Sequence, residues 1–153
     1  MKEATSDPAA LLPGFRVLDL SSAMGAFCGK ILRDLGMDVI KVEPPQGDSL
    51  RSEPPFAKGH MHREGSLRFA YLNAGKRSIT LDITRGGGRK LLLELVRRSD
   101  FVLETFEPGF LAANHLDYGA LVEQNPKLIL ISLSGFGQSG PSRLSRNTSC
   151  SSS

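Results

Sequence analysis

Short apolar segments alternate with segments of helical periodicity along most of this chain. FRVLDLS (15–21) is an apolar run that ends in polar residues, and MDVIKVEPP (37–45) is a second run closed by two prolines. Between them, AFCGKILRDLG (26–36) has apolar residues at helical spacing and ends in a glycine, a common helix stop signal. A strand, a helix and a strand in this order predict two parallel strands joined by a crossover.

The alternation continues towards the C-terminus. SLRFAYLNAG (66–75), RKLLLELVRRSD (89–100) and LDYGALVEQNP (116–126) have helical patterns, and KLILISLSGFG (127–137) is apolar on both faces, as in a central parallel strand. The fold class predicted is α/β, a Rossmann-like, mostly parallel open sheet with flanking helices. Five strands are predicted, near residues 15–20, 38–43, 78–83, 101–105 and 128–133.

Composition narrows the classes of function. The chain has 153 residues, of which 40% are hydrophobic and 23% are charged, which predicts a globular domain. The net charge is +3 and no basic run is interleaved with aromatic residues, which argues against nucleic-acid binding. Cys28 and Cys150 form no metal or redox spacing, and no segment approaches the length of a membrane span. A cytoplasmic protein that does not bind a membrane is therefore expected.

GFGQSG (135–140) matches the dinucleotide-binding pattern G-x-G-x-x-G after a predicted strand. A fragment of an NAD(P)-binding oxidoreductase is therefore one hypothesis. However, Pro141 follows at once, no apolar helix pattern begins there, and no acidic residue lies about 20 residues further on. The motif is better explained as a tight glycine-rich turn at the carboxyl end of a strand, where ligands of α/β proteins bind.

Two other motifs could bind ligands. RGGGR (85–89) resembles a phosphate loop but lacks the final GK[ST], so it is interpreted as a flexible connection into the next helix. His60 and His62 would share a face on a strand, but no third ligand is near them, so no metal site is predicted.

Charged residues also lie at the ends of predicted strands. Asp19 and Glu43 end two strands and could face a crevice as bases, or serve as ordinary caps. Lys76 and Arg77 follow a glycine-bearing turn, where two cations could hold phosphates or simply be solvated.

Five blocks of sequence together resemble one family. The chain is similar to the family III CoA-transferases, the CaiB/BaiF family, which includes CoA-transferases and acyl-CoA racemases. The resemblance covers residues 14–141. It is carried by GFRVLDLS, FCGKILRDLGMDVIKVEPPQGDSLR, NAGKRSITLDI, SDFVLETFEPG and LDYGALVEQNPKLILISLSGFGQSGP.

The resemblance implies that this is the N-terminal part of a large domain that binds coenzyme A, in a protein that forms an interlocked homodimer. The substrates would be an acyl-CoA and a small carboxylic acid, with no metal. In the transferases a carboxylate attacks the acyl-CoA thioester, whereas the racemases exchange the proton α to its carbonyl. A transferase is the first hypothesis, and a racemase-type member or a non-catalytic CoA-binding fragment are the alternatives.

The resemblance also implies site residues. Lys76 matches the family's CoA-contacting lysine, Phe106 matches a phenylalanine after the fourth strand, and Thr105 stands where the family has asparagine. The turn before Lys76 and the glycine-rich turn complete the set. The predicted cofactor-binding residues are Asn73, Ala74, Gly75, Lys76, Thr105, Phe106, Gly135 and Gly137.

The tail departs from the family pattern. In the family the glycine-rich turn leads to a nucleophilic Asp, but SRLSRNTSCSSS (142–153) contains no Asp or Glu. We therefore predict no catalytic residue in this chain and no activity alone. The expected organisation is a loose leader (1–13), an incomplete CoA-transferase family III N-terminal domain (14–141) and a disordered tail (142–153), which a frameshift after Pro141 would produce.

Overall fold

Five strands and five α-helices alternate in the computed structural model, which describes residues 11–59, 62 and 64–141. The strands are β1 Arg16–Leu20, β2 Asp38–Glu43, β3 Arg77–Thr80, β4 Phe101–Glu104 and β5 Ile129–Ser132. The helices are α1 Ala23–Asp34, α2 Leu67–Leu72, α3 Gly86–Val96, α4 Phe110–Ala113 and α5 Tyr118–Gln124. Two 3₁₀ helices, Ser49–Ser52 and Ala57–Gly59, lie between β2 and α2.

The strands form a single parallel sheet within the described residues. Their order is β3-β2-β1-β4-β5, and every neighbouring pair is parallel. In the centre, Leu18 of β1 lies level with Ile40 of β2 and with Val102 of β4. The predicted α/β fold with a parallel Rossmann-like sheet is confirmed.

Helices cover both faces of the sheet because the side chains of each strand alternate between two cores. Leu18 and Leu20 point into the first core, which also contains Leu92 and Val96 of α3 and Leu121 of α5. Val17 points into the second core, with Val39 and Leu103, and α1 packs there through Cys28 and Leu32. The two clusters explain why β1 is apolar on both sides.

Helix α1 lies close to the sheet because its inner face is made of small residues. Phe27 and Ile31, which the periodicity placed on an apolar stripe, are 52% and 43% exposed. The buried positions are Gly25, Ala26 and Gly29. The helix was predicted correctly, but Phe27 and Ile31 face outwards, and Leu32 is the large residue of the apolar stripe that packs against the second core.

The sequence predicts a central strand for β5, but β5 lies at the edge of the sheet that the described residues form. Ile129 at its start is 52% exposed. Leu130 packs against the first core and Ile131 against the second. Both faces of β5 are therefore covered. An apolar pattern indicates that the two faces of a strand are covered, but it does not indicate whether another strand pairs with its outer edge.

Strand β3 is shorter than predicted. It was expected to reach residue 83 but ends at Thr80. The backbone N–H of Leu81 still donates to the Glu43 carbonyl, and then the Asp82 carboxylate accepts from the backbone N–H and the hydroxyl of Thr84. This side-chain turn ends the strand, because Asp competes well for nearby backbone donors.

The two predicted terminal segments lie mostly outside the described residues, namely 1–10 of the leader and 142–153 of the tail. Leu12, which the structure describes, packs against the second core and donates its backbone N–H to the Leu35 carbonyl. This part of the leader is therefore docked. Among the described residues, no helix is long and apolar enough to span a membrane.

A glycine at the start of α3 gives a test of this packing. A Cβ atom at Gly88 would overlap the backbone carbonyl of Asp82, whereas a Cβ atom at Gly87 would meet open space. We expect Gly88→Ala to destabilise the fold by about 1–3 kcal/mol, the usual cost of overpacking. Gly87→Ala, the matched control, should stabilise it by about 0.5–1 kcal/mol, because alanine favours helix. Urea denaturation followed by circular dichroism measures both, and equal effects would contradict the described packing.

Candidate functional site

A cavity of about 710 Å³ opens where β1, β2 and β3 end, at the carboxyl edge of the sheet. In parallel α/β sheets this edge is the usual place for a ligand. Segments after three strands and two phenylalanines after β4 line it. The lining residues are Leu20, Ser21, Ser22, Val42, Pro44–Ser49, Leu81–Thr84, Phe106 and Phe110.

One wall of the cavity is aromatic. The rings of Phe106 and Phe110 are stacked, with centroids 4.4 Å apart and planes 22° apart. Asp48 and Asp82 are the charged residues among the described residues that line the cavity, and no described lysine or arginine lines it. A flat, uncharged group therefore fits this space better than an anionic group does.

Positive charge lies at the rim, at the start of α3. Arg85 donates from Nε to the Asp82 carboxylate at 3.1 Å, and its side chain is 84% exposed. Arg89 donates from Nη1 to the Thr84 carbonyl at 2.9 Å. Asp82 and Thr84 both line the cavity. Two guanidinium groups and the positive end of a helix dipole therefore lie beside its opening.

Beneath the cavity lies a chain of four buried charges, Lys76–Asp19–Lys41–Asp48, which we call the buried charge chain. Lys76 Nζ is 2.8 Å from Asp19 Oδ2, and Lys41 Nζ is 3.8 Å from Asp19 Oδ1 and 2.8 Å from Asp48 Oδ2. All four side chains are at most 4% exposed. Positive and negative charges alternate, so the interior carries no net charge from them, as buried ions require.

Hydrogen bonds complete the buried charge chain. Lys76 also donates to the Asn73 side-chain oxygen at 2.9 Å and to the Ala26 carbonyl at 3.1 Å. Lys41 donates to the Ser21 carbonyl, and the backbone N–H of Ser21 donates to Asp19 Oδ1 at 3.0 Å. Burial lowers the pKa of Lys76, although Asp19 opposes that shift. Each ammonium thus has several protein acceptors.

Glycine allows α1 to approach these charges. A Cβ atom at Gly29 would collide with Asp19 Oδ2 and lie 2.8 Å from Lys76 Nζ. A Cβ atom at Gly25 would lie 2.8 Å from the Thr105 methyl group. A larger residue at either position would push the helix away from the sheet or displace a charge.

A second ionic group holds the loop after β2. Arg51 donates from Nε and Nη2 to the Glu43 carboxylate at 2.7 and 2.8 Å, and from Nη1 to Glu64 at 2.9 Å. The hydrogen bonds from Arg51 lower the pKa of Glu43 to about 2. The sequence allows Glu43 to act as a base at a strand end, but Glu43 lies in this ionic group and not among the cavity-lining residues. Asp19, the other candidate base, lies in the buried charge chain.

The structure separates the predicted cofactor-binding residues. Phe106 lines the cavity. Thr105 precedes it, and its hydroxyl accepts a hydrogen bond from the backbone N–H of Ser22 at 2.7 Å, which fixes a cavity-lining residue. Gly135 and Gly137 are exposed in the turn after β5 and are not among the lining residues.

The turn Asn73–Lys76 lies on the face of the sheet that carries α1, whereas the apolar lining of the cavity, such as Leu20 and Val42, belongs to the core on the opposite face. The Gly75 carbonyl accepts from Arg33 Nε of α1 at 2.7 Å, and Ala74 is exposed. Lys76 reaches Asp19 on the same face. Direct contact of these residues with a cofactor stays a prediction.

Sequence reasoning missed Lys41 and Asp48. One signal was available in VIKV (39–42), because a lysine in the middle of a buried apolar strand needs an acidic partner. The aspartate in the loop seven residues later is a candidate, but nothing in the sequence says that the loop folds back. The RGGGR motif, interpreted as a flexible connection, forms the first turn of α3 with its two arginines at the rim.

The glycine-rich turn does not open a helix, since no helix follows β5 within the described residues, which end at Pro141. A dinucleotide fingerprint needs that helix. Within the described residues no group of three or more His, Cys, Asp or Glu side chains is placed to hold a metal, and His60 lies outside them.

Comparison with known proteins agrees with this geometry. The model of CoA-transferase family III matches residues 12–147. This chain belongs to CoA-transferase family III. It is 40% identical over 144 residues to an acetyl-CoA:oxalate CoA-transferase of Acetobacter aceti, covering 92% of this chain and 36% of that protein. It is 42% identical over 127 residues to a succinyl-CoA:mesaconate CoA-transferase of Haloarcula hispanica, covering 82% and 32%.

A solved structure gives the same result. The crystal structure of a CaiB/BaiF family protein from Brucella suis superposes with a TM-score of 0.77 at 42% identity, over 86% of this chain and 35% of that chain. The chain therefore spans about a third of the length of these family III relatives, and the family resemblance found in the sequence is confirmed.

The Arg51–Glu43 contact predicts a pH dependence of stability. Because the pKa of Glu43 falls from 4.5 to about 2 on folding, the unfolded state binds a proton first as the pH drops. The contact therefore stabilises the fold fully above about pH 4.5, and up to about 3 kcal/mol is lost as the pH falls towards 2. Glu43→Gln should make stability depend less on pH in this range. Urea midpoints measured between pH 6 and pH 2.5 test this.

Glu94→Gln is the matched control, because Glu94 pairs with Arg97 on the surface and its side chain is 53% exposed. In Glu94→Gln the urea midpoint should change with pH as it does in the wild type, since exposed ion pairs contribute little to stability. An unchanged pH dependence in Glu43→Gln would disprove the assignment.

Proposed function

We propose that this chain supplies the CoA-binding part of a CoA-transferase, an enzyme that moves CoA from an acyl-CoA to a carboxylic acid. The observation that carries the proposal is the cavity at the carboxyl edge of the sheet in a chain of CoA-transferase family III. The relatives named above use acetyl-CoA with oxalate and succinyl-CoA with mesaconate. An acyl-CoA and a small carboxylic acid are therefore the proposed substrates.

The adenine ring of CoA is the proposed occupant of the cavity. Adenine is flat and its faces are apolar, so it stacks well on aromatic side chains. Phe106 and Phe110 offer a stacked pair on one wall, and Leu20, Val42 and Ile83 make neighbouring surfaces apolar. Phe106 is thus the predicted site residue with the strongest support for direct contact.

The phosphates of CoA are proposed to lie at the rim. The charged residues that line the cavity are two aspartates, which would repel phosphate. Arg85 and Arg89 contact the cavity wall from outside, and guanidinium groups bind phosphate through paired hydrogen bonds. The pantetheine arm would then extend along the carboxyl edge towards the turn that contains Gly135 and Gly137.

The other predicted residues enter the proposal through their contacts. Thr105 holds Ser22 at the cavity, and Asn73 holds Lys76. Ala74 and Gly75 belong to the turn that leads into Lys76. We propose that these residues support the site and that Phe106 touches the cofactor.

The nucleophile is not assigned to a described residue. Transfer through a covalent intermediate needs a carboxylate that can attack the thioester. Asp48 is paired with Lys41, and Asp82 accepts hydrogen bonds from Thr84 and Arg85. Burial raises the pKa of the Cys28 thiol, which disfavours the thiolate. The described residues are therefore proposed to bind CoA, and no observation favours a racemase.

Two further properties belong to the proposal. A homodimer is proposed on the family resemblance, and light scattering after size-exclusion chromatography measures it. A cytoplasmic location is proposed on the same resemblance.

Removal of an aromatic ring from the cavity tests the proposed adenine site. We expect Phe106→Ala to weaken CoA binding about tenfold, since a stacked base contributes about 1–3 kcal/mol. Isothermal titration calorimetry with CoA measures the change. The control is Phe15→Ala, because Phe15 lies before β1 at the opposite edge of the sheet and makes an edge-to-face contact with Phe101. If wild type binds no CoA, or if both variants bind equally well, the proposal fails.

The arginines at the rim provide an independent test. Arg85→Gln with Arg89→Gln should weaken CoA binding about fivefold, from about 0.5 kcal/mol for each exposed charge, and should reduce its dependence on salt. Arg97→Gln removes a positive charge at the other end of α3, where Arg97 contacts Glu94 and Gln124. An equal loss in Arg97→Gln would assign the effect to net charge alone.

A further inference from the structure

The wall of the cavity formed by residues 44–49, which we call the β2 wall, has little structure of its own. All six of its residues line the cavity. A single backbone hydrogen bond within it is described, from the Gly47 N–H to the Pro44 carbonyl at 2.8 Å. Its position must therefore depend on contacts with the rest of the domain.

Asp48 is the residue that makes those contacts. Its Oδ2 accepts from Lys41 Nζ at 2.8 Å, and its Oδ1 accepts from the backbone N–H of Leu50 at 2.8 Å. Its own N–H donates to Glu43 Oε2 at 3.1 Å. One side chain thus ties the β2 wall to the strand below it and to the 3₁₀ helix after it.

The contact between Lys41 and Asp48 is part of a buried set of charges that must stay balanced. Lys41 Nζ also lies near Asp19, which pairs with Lys76, so the four charges balance only as a set. Loss of one charge leaves an excess charge in an interior of low dielectric constant, and the nearest segment outside a helix or strand must move to hydrate it. The β2 wall is that segment, because Asp48 lies within it.

We propose that Lys41 and Asp48 are positioning residues of the CoA site, and that Lys76 acts on the cavity through Asp19 and Lys41. The inference rests on the proposed function, since it takes CoA as the ligand of the cavity. The buried charge chain holds the β2 wall against the ligand, so a change in the chain alters affinity without removing any cavity-lining aromatic residue.

The inference is tested by variants that distinguish the charge balance of the buried charge chain from the position of the β2 wall. Asp48→Asn and Lys41→Met each leave the chain unbalanced and should lower both the urea midpoint and the affinity for CoA, the latter about tenfold, which corresponds to about 1.4 kcal/mol. The double variant Lys41→Met with Asp48→Asn leaves Asp19 and Lys76 as a balanced pair. It should regain much of the lost urea midpoint while CoA affinity stays about tenfold weaker.

The matched control is Met37→Ala, a buried position before β2 at the opposite edge of the sheet. It should lower the urea midpoint by a cavity effect and leave CoA affinity unchanged. If the double variant binds CoA as wild type does, or if Met37→Ala weakens binding equally, affinity follows stability and the inference is overturned. If Lys41→Met does not fold, the double variant and Asp48→Asn still decide the question.

Hydrogen exchange tests the β2 wall without any ligand. Asp48→Asn should speed exchange at the amides of Leu50 and Arg51, which bond to the Asp48 side chain and carbonyl, and Met37→Ala should not. Unchanged exchange overturns the inference even if CoA binds, whereas faster exchange in a chain that does not bind CoA overturns the proposed function alone. Lys76→Met should speed the same amides, and weaker CoA binding without that change would make Lys76 a direct contact.

Discussion

The ammonium of Lys41 lies in the interior at the middle of β2, and much of the site depends on how that charge is balanced. An unpaired buried ion costs several kcal/mol, so the strand can stay in the sheet only if acidic groups reach it. Asp48 reaches it from the loop above and Asp19 from the neighbouring strand. Asp19 in turn requires Lys76, and the space for that pair requires a glycine at position 29. A single buried charge therefore constrains a loop, a helix and a turn.

Within the described residues, the domain keeps its positive charges out of the cavity lining. The lining includes two phenylalanines, several aliphatic side chains and two aspartates. The guanidinium groups of Arg85 and Arg89 lie outside, at the start of α3, and the Lys76–Asp19 pair lies on the face of the sheet that carries α1. A ligand with a flat apolar ring and an anionic remainder matches this division. Position along the sheet explains it, because the carboxyl ends of the strands open outwards while their centres are covered by helices.

The spacing of apolar residues and the positions of glycine and proline were enough to predict the α/β class, the strand positions and the parallel pairing. Strands and helices each have their own repeat of apolar residues. These patterns could not place β5 at the edge, since Leu130 and Ile131 reach a core on each face whether or not a further strand pairs with it. In the site, Phe106 was predicted from the family pattern and lines the cavity. The pairing of Lys41 with Asp48 could not be predicted, because it depends on a loop that folds back over its own strand.

The outer edge of β5, which no described strand pairs with, favours association between copies of this chain. The backbone of β5 pairs with β4 on one side, while on the other side its amide and carbonyl groups meet no strand within the described residues. Exposed backbone groups next to apolar side chains such as Ile129 favour pairing with another chain. Edge-to-edge association that increases with concentration is the expected difficulty in purification and crystallisation, and a charged side chain in place of Ile129 is the simplest remedy.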